Sequence, residues 1–403
     1  MHCVRNITED LYFLGVDEHR LHLFENIHPI PRGVSYNSYL LKDEKTVLFD
    51  TVDWAVCRQF MENIAFVLNG RDLDYLVVNH VEPDHAASIE QVIQAYPKVK
   101  IVSNEKAFLF MRQFGFDIGD RAVTVTEGDS MSFGKHKVAF VLAPMVHWPE
   151  AMVSFDLTDG TLFAADAFGT FGALNGVLFN DEVDFDRDWI DDARRYYTNI
   201  VGKYGPHVQK LLRKASTLPI KLICPLHGPV WRSDFGYILD KYNRWSSYVP
   251  EKKGVLIAYA SMYGNTEQAA VALASQLVQK GCLDVKVCDV STTHVTDLIG
   301  YAFQYSHMAL VSVTYNLGIY PLMHNFIMDM KALNLQNRTV AIVENGTWAC
   351  TAGKLMTKEL EEMKQMTILN ESLTISSAVN EANLPSIEML AQGLIDSLET
   401  ATV

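Results

Sequence analysis

The 403-residue chain changes rhythm near residue 250, and no other feature limits its fold so strongly. Before that point, short apolar runs alternate with turns: Asp10 to Gly15, Thr46 to Asp50, Leu73 to Asn79 and Lys137 to Leu142. Helical stretches lie between and after them, Ala86 to Tyr96 and Asp188 to Leu212 among them. Strands mixed with helices, some spaced as meanders, predict an α/β unit of two sheets sandwiched between helices. The segment Ser246 to Lys253 is polar, contains Pro250, and reads as a linker. Beyond it the order becomes regular: a strand Gly254 to Ala260, a helix Thr266 to Lys280, then strands Asp284 to Cys288, Met308 to Ser312 and Thr339 to Val343. Wholly apolar strands alternating with helices predict a doubly wound parallel sheet. Two domains are therefore expected, residues 1–250 and 254–403.

A formal net charge of −14 argues against a nucleic-acid partner, because a polyphosphate recruits Lys and Arg. The first ten residues lack the apolar core of a secretory signal, and no apolar run reaches the roughly 18 residues that span a membrane, so a cytoplasmic protein is expected. Six cysteines are scattered without a CxxC pair, which predicts reduced, mostly structural thiols.

Seven candidate metal ligands stand at four places that follow or close apolar runs: His80, Glu82, Asp84 and His85 in one cluster, then His147, Asp166 and His227. Alternate residues of an extended segment share a face, so His80, Glu82 and Asp84 can converge, with His85 pointing to the neighbouring side. Singly, a histidine after a strand is ordinarily a hydrogen-bonded core or loop residue, and Asp166 could cap the next segment. Together they are enough for two metal ions and too many for one. Of the other histidines, most read as solvent or packing residues; His28 is the exception because of its loop.

Three loops of the second part form another constellation. Ser261, Met262, Tyr263, Gly264, Asn265 and Thr266 lead from a strand into a helix, where hydroxyls, a permissive glycine and unpaired amides favour a phosphate. The lysine of a Walker loop and the GxGxxG fingerprint are both missing. Val313, Thr314, Tyr315, Asn316 and Gly318 follow the third strand, and Asn345, Gly346, Thr347 and Trp348 the fourth. These are the carboxyl ends of parallel strands, where open sheets bind ligands, and Tyr315 and Trp348 offer faces for a planar ring.

On these residues the first part resembles a metallo-β-lactamase-like αβ/βα sandwich, whose usual motif is HxHxDH, and the second a flavodoxin. Glu82 stands where that motif has its second histidine; with Asp84 and Asp166 it makes the donor set harder and more anionic, which moves the preference from zinc toward iron or manganese. The whole chain resembles the flavodiiron proteins through His80 to His85, His147-Trp148-Pro149, Asp166 to Gly169, His227-Gly228 and the Ser261 to Thr266 loop. The resemblance implies FMN and two iron ions, with His80, Glu82 and His147 on one iron, Asp84, His85 and His227 on the other, and Asp166 bridging. It implies reduction of dioxygen to water, of nitric oxide to nitrous oxide, or of both. It also implies electrons entering through FMN from a separate donor (rubredoxin, another redox protein or reduced deazaflavin), and a head-to-tail homodimer or dimer of dimers. Val313 in place of a common proline, the third loop's Trp348-Ala349-Cys350 and the segment Leu23 to Pro29 depart from better-known members. The alternative is a metallo-β-lactamase-type hydrolase with an attached flavodoxin module.

Overall fold

The computed structural model describes residues 2–401, which pack as two units: 2–197 with 206–240, and 198–205 with 241–401. Among the described residues no helix is long and apolar enough to cross a membrane.

The first unit holds two sheets. The larger runs in the order Arg5–Asn6, Leu11–Phe13, Tyr39–Lys42, Thr46–Phe49, Tyr75–Val77, Lys100–Ser103, Ala122–Thr124. Its first four strands are antiparallel and its last four parallel. The smaller is Ser130–Ser132, Lys137–Leu142, Met152–Asp156, Thr161–Phe163, Leu222–Cys224, antiparallel up to its last pair, which is parallel. The sheets meet face to face: Phe49 of the larger stacks on Phe163 of the smaller at 3.7 Å between ring centroids. Helix Cys57–Leu68 shows how the outer layer is attached, since Cys57, Phe60, Ile64, Val67 and Leu68 are buried at helical spacing and left-handed Asn69 ends it.

The helices differ from expectation in two places. Ala86 to Tyr96 is split into Pro83–Ala86 and Ile89–Ala95, because Ser88 between them turns its hydroxyl to the Val52 carbonyl at 2.8 Å. Asp188 to Leu212 is five pieces, Phe185–Asp188, Ile190–Tyr196, a π turn Tyr197–Val201, a 3-10 turn Gly202–Tyr204 and Gly205–Ala215, with Gly202, Gly205 and Pro206 at the interruptions.

The second unit is one parallel sheet in the order Val285–Asp289, Lys252–Ala260, Tyr305–Tyr315, Arg338–Asn345, Met366–Ile375, with the short Gly318–Ile319 added antiparallel to the third strand in sequence. This is the 2-1-3-4-5 order of a flavodoxin-like sheet. The segment expected to be a polar linker is packed here: Ser246 and Tyr248 are buried, and fully buried Arg338 donates to the Tyr248, Ala302 and Phe303 carbonyls.

Candidate metal centre and flavin pocket

The strand Tyr75–Val77 delivers the first ligand cluster, and the turn after it is fixed from below. Buried Asp50 accepts from the Asn79 and His80 amides at 2.7 and 3.3 Å and from the Asn79 side chain at 2.8 Å. Burial pushes its carboxyl up to about 6 in spite of these bonds. Extended Glu82 then precedes Pro83, which takes the first helical position where its missing N–H costs nothing, and Asp84 and His85 ride on that short helix. His147 follows left-handed Met145, and Asp166 follows left-handed Ala165.

All seven candidates come together, in two groups: His80, Glu82, His147 and Asp166, and Asp84, His85 and His227. Glu82 Oε2 lies 3.2 Å from His80 Nε2 and 2.9 Å from His147 Nε2. Asp84 Oδ2 lies 3.3 Å from both His85 Nε2 and His227 Nε2. Asp166 faces both groups, with Oδ2 at 3.2 Å from His80 and His147, and Oδ1 at 3.1 Å from His85 and 3.6 Å from His227.

This arrangement fits metal ions. Donors about 2.1 Å from one ion and at right angles to each other stand about 3 Å apart, which is the spacing observed. Both Asp84 oxygens, Asp166 Oδ2 and His227 Nε2 are buried without a hydrogen-bond partner, a costly state for a polar atom unless a cation meets it. Electrostatics agree. Burial, reinforced by Glu82 and Asp166, raises the Asp84 carboxyl to about 8 despite His85. Burial opposes charge on His80 and His147, yet Asp166 and Glu82 beside them lift both, His147 to about 9. The carboxylates thus favour positive charge beside them, which the raised pKa values of His80 and His147 express.

Of the neighbours, Trp148 and Phe24 lie in segments that the sequence marks, whereas Glu150, Ser35, Tyr36 and Tyr196 have no sequence signal of their own. Glu150 accepts from His80 Nδ1, and the Ser35 carbonyl from His227 Nδ1, each at 2.8 Å. Phe24, Tyr36 and Tyr196 surround the His227 ring at 5.4 to 5.7 Å, and Trp148 sets its edge against His80 at 5.3 Å. The segment Leu23 to Pro29 is a hairpin turning through left-handed Glu25 and Asn26; it carries Phe24 to this wall and places His28 5.8 Å from Phe171.

The second unit has a cavity of about 250 Å³ at the carboxyl ends of its strands. The first loop contributes Ser261, Met262, Tyr263, Asn265 and Thr266, the second Val313, Thr314, Tyr315 and Asn316, and the third Asn345, Gly346, Thr347 and Trp348. Gly264 and Gly318 do not line it. Gly264 is the left-handed cap of helix Asn265–Gln279, its amide held by the Ser261 hydroxyl at 3.0 Å. Gly318 pairs back with Tyr315 across a tight turn whose left-handed Asn316 and Leu317 put Leu317 in the wall instead. Ala349 and Ser377 also line the cavity. No lining residue is an Asp, Glu, Lys, Arg or His, so an anion here would rest on hydroxyls, amides and a helix N-terminus. Tyr263 and Trp348 stand about nine-tenths exposed at the rim.

A β-lactamase-like sandwich with a two-group His/carboxylate centre, joined to a flavodoxin-like sheet with a neutral anion cradle, defines a metal- and flavin-binding class of two-domain protein. Comparisons agree. The ODP family beta lactamase model matches residues 34–228. A nitric oxide reductase of Moorella thermoacetica is 32% identical over 361 residues, 89% of this chain and 90% of that one. The rubredoxin oxygen:oxidoreductase of Desulfovibrio gigas superposes with a TM-score of 0.91 at 27% identity, over 98% of this chain and 99% of that one. The flavodiiron protein of Giardia intestinalis shares the fold, with a TM-score of 0.92 at 24% identity over 99% and 98% of the two chains. The chain belongs to the flavodiiron proteins.

Proposed function

We propose that the protein is an oxidoreductase that reduces dioxygen to water, nitric oxide to nitrous oxide, or both, using FMN and two iron ions. The observation that carries this reading is Asp166, whose two oxygens face two separate ligand groups. In the proposal His80, Glu82 and His147 hold one iron, Asp84, His85 and His227 the other, and Asp166 both. The domains are 1–250 for iron and 254–403 for FMN, the latter held by the three loops described. Bound iron supplies a redox couple that zinc lacks, and FMN accepts electron pairs and releases single electrons.

The chain's own residues do the rest. Three carboxylates offset the charge of two dications in a buried place. Phe24, Phe171, Tyr196 and Trp148 wall off bulk water, and Asp166 fixes both groups at one spacing. Tyr36 keeps its hydroxyl proton, because burial and the nearby Asp84 hold its pKa well above the usual range. Both reactions consume protons, and a buried hydroxyl beside His227 can hold one there.

Electrons come from a separate donor, a rubredoxin, another redox protein or reduced deazaflavin. The proposal includes a head-to-tail homodimer, or a dimer of such dimers, and a cytoplasmic setting in which the six free cysteines stay reduced. The decisive experiment is an anaerobic assay of metal-quantified protein with a reduced donor, comparing turnover of the two gases. Turnover of neither gas by protein containing iron and FMN would reject the proposal.

A further inference from the structure

We infer that Glu150 positions His80 and makes the subsite of His80, Glu82 and His147 the tighter of the two for ferrous iron. The inference rests on the reading that these side chains hold metal. Glu150 is almost wholly buried, and its Oε1 accepts from His80 Nδ1 at 2.8 Å and from the Val81 amide at 3.0 Å. A ring that donates from Nδ1 to a carboxylate presents its Nε2 lone pair, on the side of Glu82 and Asp166, to a metal ion, and the anion behind it makes that nitrogen a stronger donor. Glu150 is itself held, because Asn104, which caps helix Glu105–Gln113, donates from its side-chain amide to the Glu150 carbonyl at 2.7 Å. Helix cap, glutamate and imidazole thus form a continuous chain behind one metal position.

The other subsite lacks such support. His227 Nδ1 donates to a neutral acceptor, the Ser35 carbonyl, at 2.8 Å. His85 Nδ1 is buried with no partner. Among the described residues no carboxylate accepts a hydrogen bond from Nδ1 of either imidazole, and the ring of His85 is held only from its other nitrogen, by Asp166 Oδ1 at 3.1 Å. Equal ligand counts therefore sit on unequal foundations.

The test is chelator competition on intact, FMN-containing protein loaded anaerobically with ferrous iron, with bound iron counted by elemental analysis. Wild type should release its two equivalents in separate phases, at chelator strengths at least about tenfold apart. Glu150→Gln, which keeps size and an acceptor but removes the charge, should weaken the tighter phase by about 10- to 100-fold, the usual effect of losing such a partner, so that the phases merge or cross. With iron-57, one of the two Mössbauer doublets should shift and the other stay. A general structural defect would move both and release FMN. Single-phase release from wild type, or unchanged phases in Glu150→Gln, would overturn the inference. Wild-type protein that takes up no iron would sink the metal-centre reading itself, and this inference with it.

Discussion

Asn345 is the residue whose removal should most cleanly expose how the proposed flavin pocket is built. It is 3% exposed, and its side chain reaches two other loops: Nδ2 donates to the Ser377 carbonyl at 2.9 Å and to Thr266 Oγ1 at 3.3 Å, and Oδ1 accepts from the Ser377 amide at 3.1 Å. Asn345→Ala removes three hydrogen bonds worth about 0.5–1.5 kcal/mol each. Ser377 is left-handed and near the surface, so water can replace part of what its backbone loses. About 2 kcal/mol then falls on ordering the pocket before FMN can bind, which is a roughly 30-fold rise in Kd at 1.4 kcal/mol per decade. Fluorescence titration of FMN into deflavinated protein measures this directly, with Ser377→Gly as the mild comparison. Glycine accepts the same backbone angle and loses only the hydroxyl bond to Thr347, so a change under about threefold is expected. An Asn345→Ala Kd within twofold of wild type would refute the argument that this side chain joins the loops.

Glu82→His, which turns the donor set toward imidazole, should lower iron content and nearly abolish gas reduction while FMN stays bound; full iron and activity would remove Glu82 from its assigned role. Trp348→Ala should weaken FMN binding by about 2- to 10-fold, the range of an aromatic pair worth 0.5–1.5 kcal/mol, and an unchanged Kd would take Trp348 out of the site. A pH effect is expected far from the metals. His136 is buried between Asp156 at 2.6 Å and Asp10 at 3.1 Å, with Lys135 on Asp10, Asp43 on the His136 amide and Asp159 close by. Burial works against its imidazolium, but Asp10 and Asp156 outweigh it and raise the pKa. A raised folded value gives stability that is fully present below the unfolded pKa, near 6.5, and is lost as pH climbs through the folded one. His136→Gln should therefore be most destabilised relative to wild type near pH 6, and the gap in urea midpoints should narrow at higher pH. A gap that does not change with pH would mean that charge is not involved.

The sequence made the ligands legible because each stands where an apolar run stops, and side chains at strand ends have little freedom. Glu150 was visible only as a neighbour of His147, since nothing in its own surroundings tells a carboxylate facing His80 from one facing water. The strand Met366–Ile375 passed unseen for a different reason. As an edge strand it carries Asn370, Glu371 and Ser372 in mid-run and is buried mainly near its end, so no continuous apolar stretch announces it. Ser377 follows that strand, and so its part in the cavity wall was hidden as well. The split helices show the converse limit: Ser88 fits a helical pattern until its hydroxyl finds the Val52 carbonyl, a tertiary partner that periodicity cannot reveal.

Charge accounting ties the odd position of the sequence motif to the chemistry. Glu82, Asp84 and Asp166 bring three negative charges to a place where Asp84 and Asp166 are buried, and the four imidazoles bring none unless protonated. One divalent cation would leave a single net negative charge in a low-dielectric pocket, where unbalanced charge costs several kcal/mol, and two would leave a single net positive one, so it is the two separate ligand groups that call for a pair. With the imidazole of the usual HxHxDH motif at position 82, two dications would leave two uncompensated positive charges. The carboxylate at 82 therefore suits a pair of metal ions with oxygen donors shared between them, and hard oxygen donors at such a centre suit iron better than zinc. The same substitution that separates this chain from the hydrolase pattern makes it a suitable host for electron transfer to a bound gas.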